Sequence, residues 1–108
     1  MARRTAHVTI AGGVRLPDAG IAEICRRYRV KELAVFGSAA RGAMRADSDI
    51  DFLVEFLPEA EVSLLQHFAA ERELSELLGR KVDLVSKRAL RDALKKDVLS
   101  QARLVYAA

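Results

Sequence analysis

Between Ile50 and Leu57 the chain alternates in a way that suits only a half-buried strand. Ile50, Phe52, Val54 and Phe56 fall on one side, Asp49 and Asp51 fall on the other, and Pro58 ends the run. Two carboxylates about 7 Å apart along one face of a strand repel each other. Packing alone does not favour that arrangement. A divalent cation between them would turn repulsion into coordination by hard oxygen donors.

The rest of the chain can be ordered around this strand. Val8, Ile10, Val14 and Leu16 alternate around Gly12-Gly13, so residues 1–16 read as an extension with strand character. Asp18 is a candidate cap for a helix carrying Ile21, Ile24, Cys25 and Tyr28 and ending near Val30. Leu33 to Phe36 reads as a short buried strand stopped by Gly37. Gly37 to Ser48 has turn character, with room for one helical turn. Ser63 with Gln66 three residues on forms a capping box, opening a helix with Leu64, Leu65, Phe68, Leu74, Leu77 and Leu78. These leucines read as core, although Leu64-Leu65 together exceed a narrow stripe and could reach a partner. Gly79 closes the helix, and Lys81 to Val85 is a further strand. Ser86 is expected to cap a last helix with Leu90, Leu94 and Val98 on one stripe, and Leu104-Val105-Tyr106 is either a strand or a packed tail.

The loop of about a dozen residues between 33–36 and 50–57 is too short for a crossover helix with its turns, so those strands should be antiparallel neighbours. A helix separates 50–57 from 81–85, as parallel pairing requires. The expected fold class is α+β: a small mixed sheet with helices packed on it. At 108 residues there is room for one core and no separate substrate domain. We therefore divide the chain into an extension, 1–16, and a single minimal domain, 17–108.

Charge and cysteine content remove several classes. Residues 1–45 hold nine Lys/Arg and three Asp/Glu (+6), 46–79 one and nine (−8), and 80–108 eight and three (+5). The basic residues are spread along helices as solvated faces, Arg26, Arg27 and Arg29 among them, so nucleic-acid recognition is not expected. The single cysteine, Cys25, excludes an internal disulfide and reads as a packed thiol on an apolar stripe. His67 has no ligand partner at i+4, where Glu71 reads as solvated. With no long apolar run and no secretory leader, the expected setting is cytoplasmic, with no membrane contact.

Two further features gather around the Asp49/Asp51 strand. Gly37-Ser38 stands where a buried strand ends, and Asp83, between Val82 and Leu84, faces away from those two core residues. If its strand lies beside 50–57, Asp83 meets Asp49 and Asp51 on one surface. Three convergent carboxylates suit one or two Mg²⁺ ions clamping a phosphoryl group. An isolated Asp-x-Asp or Gly-Ser is common by chance; the joint arrangement carries the information.

Gly37-Ser38, ten residues, then Asp49-x-Asp51 resembles the signature of the DNA polymerase beta-like nucleotidyltransferase superfamily. The string GSAARGAMRADSDIDFLV is similar to its smallest members, the minimal nucleotidyltransferases, including MntA-type antitoxins. The likeness runs on through Lys81-Val82-Asp83-Leu84-Val85 and spans about residues 30–106. It implies that Gly37 and Ser38 hold a triphosphate, that Arg41 and Ser48 contact phosphate, and that Gly42 permits the turn. It also implies that Asp49, Asp51 and Asp83 bind Mg²⁺, with Asp83 placed to help take a proton from the incoming hydroxyl. The implied reaction moves a nucleoside monophosphate from ATP or another NTP to an acceptor hydroxyl, releasing pyrophosphate.

Since this chain offers only half a site, the acceptor is expected from another molecule. In the family this is a HEPN-domain toxin, an RNase modified with AMP, in a hetero-oligomer. The competing expectation is a binding module that neutralises its partner by occlusion. A third is transfer to a small molecule or RNA within a homodimer or larger homo-oligomer.

Overall fold

The computed structural model describes residues 8–11, 14–37, 40, 49–90 and 92–108. Strands β1 (Val8–Ala11) and β2 (Val14–Pro17) form an antiparallel hairpin leading into helix α1 (Asp18–Arg27). Strands β3 (Val30–Phe36) and β4 (Ile50–Phe56) follow, then helix α2 (Leu64–Leu78) and strand β5 (Val82–Ser86). A 3₁₀ turn (Lys87–Ala89), helix α3 (Asp92–Gln101) and strand β6 (Arg103–Ala107) complete the chain. The main sheet has the order β5-β4-β3-β6. β3 is antiparallel to both β4 and β6, and β4 is parallel to β5, so this is the mixed sheet expected from the loop lengths.

The core lies on the face carrying Ile50, Phe52 and Val54, each fully buried, against α1 and α2. Ile21, Ile24 and Cys25 of α1, Ala70 and Leu74 of α2, and Leu33 and Val35 of β3 complete it. Burial of each large side chain contributes about 1.5–3 kcal/mol. Leu16 of β2 is fully buried in the same cluster, so the residues before α1 contribute to the core. Burial pushes the Cys25 thiol up to about 12 against a small opposing pull from Arg26, which makes it a packing group and a poor nucleophile. Leu53, on the opposite sheet face, is also buried; it borders a pocket of about 140 Å³ with Ala34, Leu99, Ala102 and Leu104.

Several local expectations change. α1 starts from Pro17 with no side-chain cap, and Asp18 is its first residue. Proline pre-sets φ, and an acidic first turn suits the helix dipole. The helix stops at Arg27 because Arg29 turns left-handed (φ 58°), releasing Val30 into β3. Ser86 ends β5 and caps nothing; a 3₁₀ turn separates it from α3. Leu104 to Tyr106 are a strand, paired to β3.

α2 departs most from expectation. Its capping box forms as read: Ser63 Oγ accepts from Gln66 N–H (3.2 Å), and Gln66 Oε1 accepts from Ser63 N–H (3.0 Å). Ser63→Ala should therefore lower unfolding free energy by about 1 kcal/mol in a urea titration, with the m-value unchanged. Its leucines, however, are not mainly core. Leu64 and Leu65 are 74% and 83% exposed, Phe68 is 56% exposed, and the buried positions are Ala70 and Leu74, with Leu78 partly buried. Four-residue spacing makes 70, 74 and 78 one narrow stripe, and Leu65 lies roughly half a turn round from its centre.

Glu71 is not simply solvated either. It accepts a hydrogen bond from Leu84 N–H (2.7 Å), His67 Nε2 donates to Leu84 C=O (2.8 Å), and Ser75 Oγ accepts from Val82 N–H (3.0 Å). These side chains cover the outer edge of β5, which would otherwise stand unpaired.

Arg27 is exposed, as expected of a wet face, and from there grips Glu73 with both guanidinium nitrogens (2.6 and 3.1 Å), while Tyr28 donates its hydroxyl to the same carboxylate. Those hydrogen bonds, Arg27's first and Tyr28's second, hold the Glu73 carboxyl at about 2. A depressed carboxyl stabilises the fold above its ordinary value of about 4.5, and that contribution is lost as pH falls towards 2. Glu73→Gln should show a smaller loss of thermal stability than the wild type between pH 4.5 and 2.

Candidate functional site

The site candidates are brought together by strand register. Phe36 of β3 pairs with Asp51 of β4, and Asp51 pairs with Asp83 of β5. In-register partners share a sheet face, so Asp51 and Asp83 stand side by side on strands about 4.8 Å apart. Their face is the one opposite Ile50 and Phe52, and Val82 and Leu84 are buried while Asp83 is exposed. Like charges placed directly opposite destabilise a sheet.

Asp49 lies one residue before β4 and is exposed, with Lys81 Nζ 3.8 Å from Oδ2. Ile50 N–H donates to Lys81 C=O (2.9 Å), which ties the start of β4 to the residue preceding β5. Lys81 beside Asp49 was not picked out from the sequence. Its position immediately before the Asp83 strand was the available signal.

Gly37 follows β3 directly and adopts φ +69°. A Cβ there would lie 2.5 Å from Asp51 Oδ2. The residue is therefore required twice over, for its left-handed backbone and for the space the Asp51 carboxylate occupies. Gly37 and Asp51, fourteen positions apart in sequence, meet because β3 and β4 are antiparallel with Phe36 opposite Asp51. Of the other phosphate-site candidates, Ser38, Arg41 and Ser48 lie outside the described residues.

Among the described residues no three His, Cys, Asp or Glu side chains form a group that could hold a metal ion by themselves. The donors are nonetheless those a hard cation takes. Mg²⁺ is usually bound through one or two carboxylates, with water and substrate phosphate oxygens completing its shell, and seldom by an all-protein cage. Asp51 and Asp83 in register, with Asp49 nearby, fit that kind of site.

Residues 19–105 match the nucleotidyltransferase domain family. The chain belongs to that family. It is 44% identical over 79 residues to the protein adenylyltransferase MntA of Thermococcus cleftensis, covering 73% of this chain and 78% of that one. A solved structure provisionally assigned as a minimal nucleotidyltransferase superposes with a TM-score of 0.69 at 40% identity, over 80% of this chain and 86% of the other. The crystal structure of a toxin-antitoxin with AMP-PNP shares the fold, with a TM-score of 0.72 at 23% identity, over 86% and 75% of the two chains. The chain is a minimal nucleotidyltransferase built on a mixed α+β domain.

No described helix of this nucleotidyltransferase is long and apolar enough to cross a membrane. A depression of about 530 Å³ lies at the far end of β4 from the carboxylates, between Phe56, Leu57, Leu64 and Arg88. None of Asp49, Asp51 and Asp83 lines that hollow.

Proposed function

We propose that this nucleotidyltransferase moves AMP from ATP to a hydroxyl of a partner protein, as the antitoxin of a HEPN-type RNase toxin. The observation that carries the reading is the in-register pair Asp51 and Asp83, with Gly37 held against Asp51. The likeness to a protein adenylyltransferase at 44% identity supports the acceptor class. Residues 17–108 carry the transferase site in this reading, with 1–16 as an extension whose Leu16 packs into the same core.

Asp49, Asp51 and Asp83 would hold Mg²⁺, which when bound lowers the hydroxyl pKa and offsets charge on attacking and leaving oxygens. The backbone at Gly37, unencumbered by a side chain, can approach phosphate oxygens, and Ser38, Arg41 and Ser48 are assigned the rest of the triphosphate. Asp83, exposed at the strand surface, accepts the proton as the acceptor oxygen bonds to the α-phosphorus and pyrophosphate departs. Lys81 beside Asp49 lessens repulsion among the carboxylates before a cation arrives.

A second reading, neutralisation by occlusion, draws on Leu64, Leu65 and Phe68 standing exposed on α2, Leu64 at the rim of the 530 Å³ depression. Intact-mass spectrometry separates the two. The protein, ATP, Mg²⁺ and a HEPN-domain protein, taken from the neighbouring gene where that gene encodes one, are incubated together, next to an Asp49→Asn/Asp51→Asn control. A gain of one or more AMP masses on the partner, absent from the control, is expected. A stable complex without mass gain would sink the catalytic reading and leave occlusion.

A further inference from the structure

Among the described residues β5 is an edge strand whose only strand neighbour is β4. The ladder to β4 sets Asp83 in register with Asp51, and on its outer side β5 has no second ladder among the described residues to steady it. That outer side is held by α2. Ser75 takes the N–H of Val82, Glu71 takes the N–H of Leu84, and His67 donates to the carbonyl of Leu84. A carbonyl can only accept, so the ring carries its proton on Nε2. The ring stands edge-on to Phe56 and Phe68, with centroids 6.2 and 5.6 Å away.

The three bonds fall on the residues immediately before and after Asp83 and leave Asp83 itself facing the site. Positions 67, 71 and 75 recur every four residues, so one helix face supplies all three contacts. We propose that His67, Glu71 and Ser75 are positioning residues for the transfer reaction: they clamp the backbone on both sides of Asp83 and hold its carboxylate beside Asp51. This rests on Asp83 being the third carboxylate of the transferase reading. Residues 82 and 84 are those whose backbone groups β5 turns away from β4, so a cover serving stability alone would fall on them too. The Asp83 resonance and the transfer kinetics separate the two roles. A reacting group misplaced by about 1 Å can lose about 10²-fold in rate, so a small lateral drift of β5 is enough to matter.

The test uses the full chain with Glu71→Ala, Glu71→Gln and Ser75→Ala. It reads amide hydrogen exchange at Val82 and Leu84, the side-chain carboxyl ¹³C resonance of Asp83, and kcat and KM for transfer. Glu71→Ala should speed Leu84 exchange at least about tenfold while β3 amides keep their protection. It should also move or broaden the Asp83 resonance and lower kcat by roughly 10- to 100-fold, with KM for ATP within about twofold. Ser75→Ala should do the same more weakly, through Val82. Glu71→Gln keeps an oxygen acceptor for Leu84 N–H and should restore all three readouts.

Faster Leu84 exchange with an unmoved Asp83 resonance and unchanged kcat would overturn the proposal and reduce α2 to an edge cover. If Glu71→Ala loosens the whole domain, Ser75→Ala decides by the same criteria. If the wild type transfers nothing to any acceptor, the functional reading fails by itself, and the Asp83 resonance still decides whether the clamp operates.

Discussion

Asp51→Asn should lower nucleotidyl transfer by on the order of 10³-fold, about 4 kcal/mol of transition-state stabilisation, without lowering the melting temperature. Asparagine keeps the shape of the side chain and one oxygen but carries no charge. A divalent cation then loses most of its attraction to β4, and the charge on the leaving pyrophosphate goes less well compensated. Stability should move the other way. Asp51 faces Asp83 across neighbouring strands, so removing one of two like charges relieves repulsion. A thermal melt equal to or slightly above the wild type, together with loss of transfer in the mass assay, is the expected pairing. If activity survives within about tenfold, the reacting centre lies elsewhere. If both fall together, Asp51 is a structural residue.

Gly37→Ala should cost transfer about 10²-fold and stability about 1–2 kcal/mol, and a matched control can separate the two effects. Both Gly37 (φ +69°) and Gly79 (φ +67°) are left-handed, so alanine at either pays the same backbone strain. Their surroundings differ. A Cβ at Gly79 meets nothing within 4 Å, whereas one at Gly37 meets Asp51 Oδ2 at 2.5 Å. Gly79→Ala should thus destabilise the fold by a comparable amount and leave kcat unchanged, while Gly37→Ala also displaces the Asp51 carboxylate. Equal activity loss in the two variants would show that general loosening accounts for the effect.

These expectations rest on features of very different legibility. The Asp51 strand could be read because its alternation is local: Ile50, Phe52 and Val54 announce the buried face and so assign Asp49 and Asp51 to the other. The α2 capping box was equally legible, since its partners are three residues apart. Parallel pairing of β4 with β5 followed from the length of the intervening segment, and with it the meeting of Asp51 and Asp83. By contrast, the leucines of α2 misled. Leu64, Leu65 and Phe68 are as apolar as Leu74, and nothing nearby in sequence records that the sheet lies beneath 70 and 74.

The sequence by itself thus determined the periodic elements, the mixed sheet and the candidate carboxylates, because each depends on spacing within a strand or on the length of one connection. Only the tertiary structure decided that β6 pairs with β3, that Gly37 is packed against Asp51, and that His67, Glu71 and Ser75 hold the edge of β5. Those contacts join residues 7 to 17 positions apart in the case of the edge and far more for β6, across turns whose geometry no local pattern encodes. A polar residue on a helix looks the same in sequence whether water or a strand's backbone N–H satisfies it. Which one it meets is settled when the helix docks and buried backbone groups must find partners.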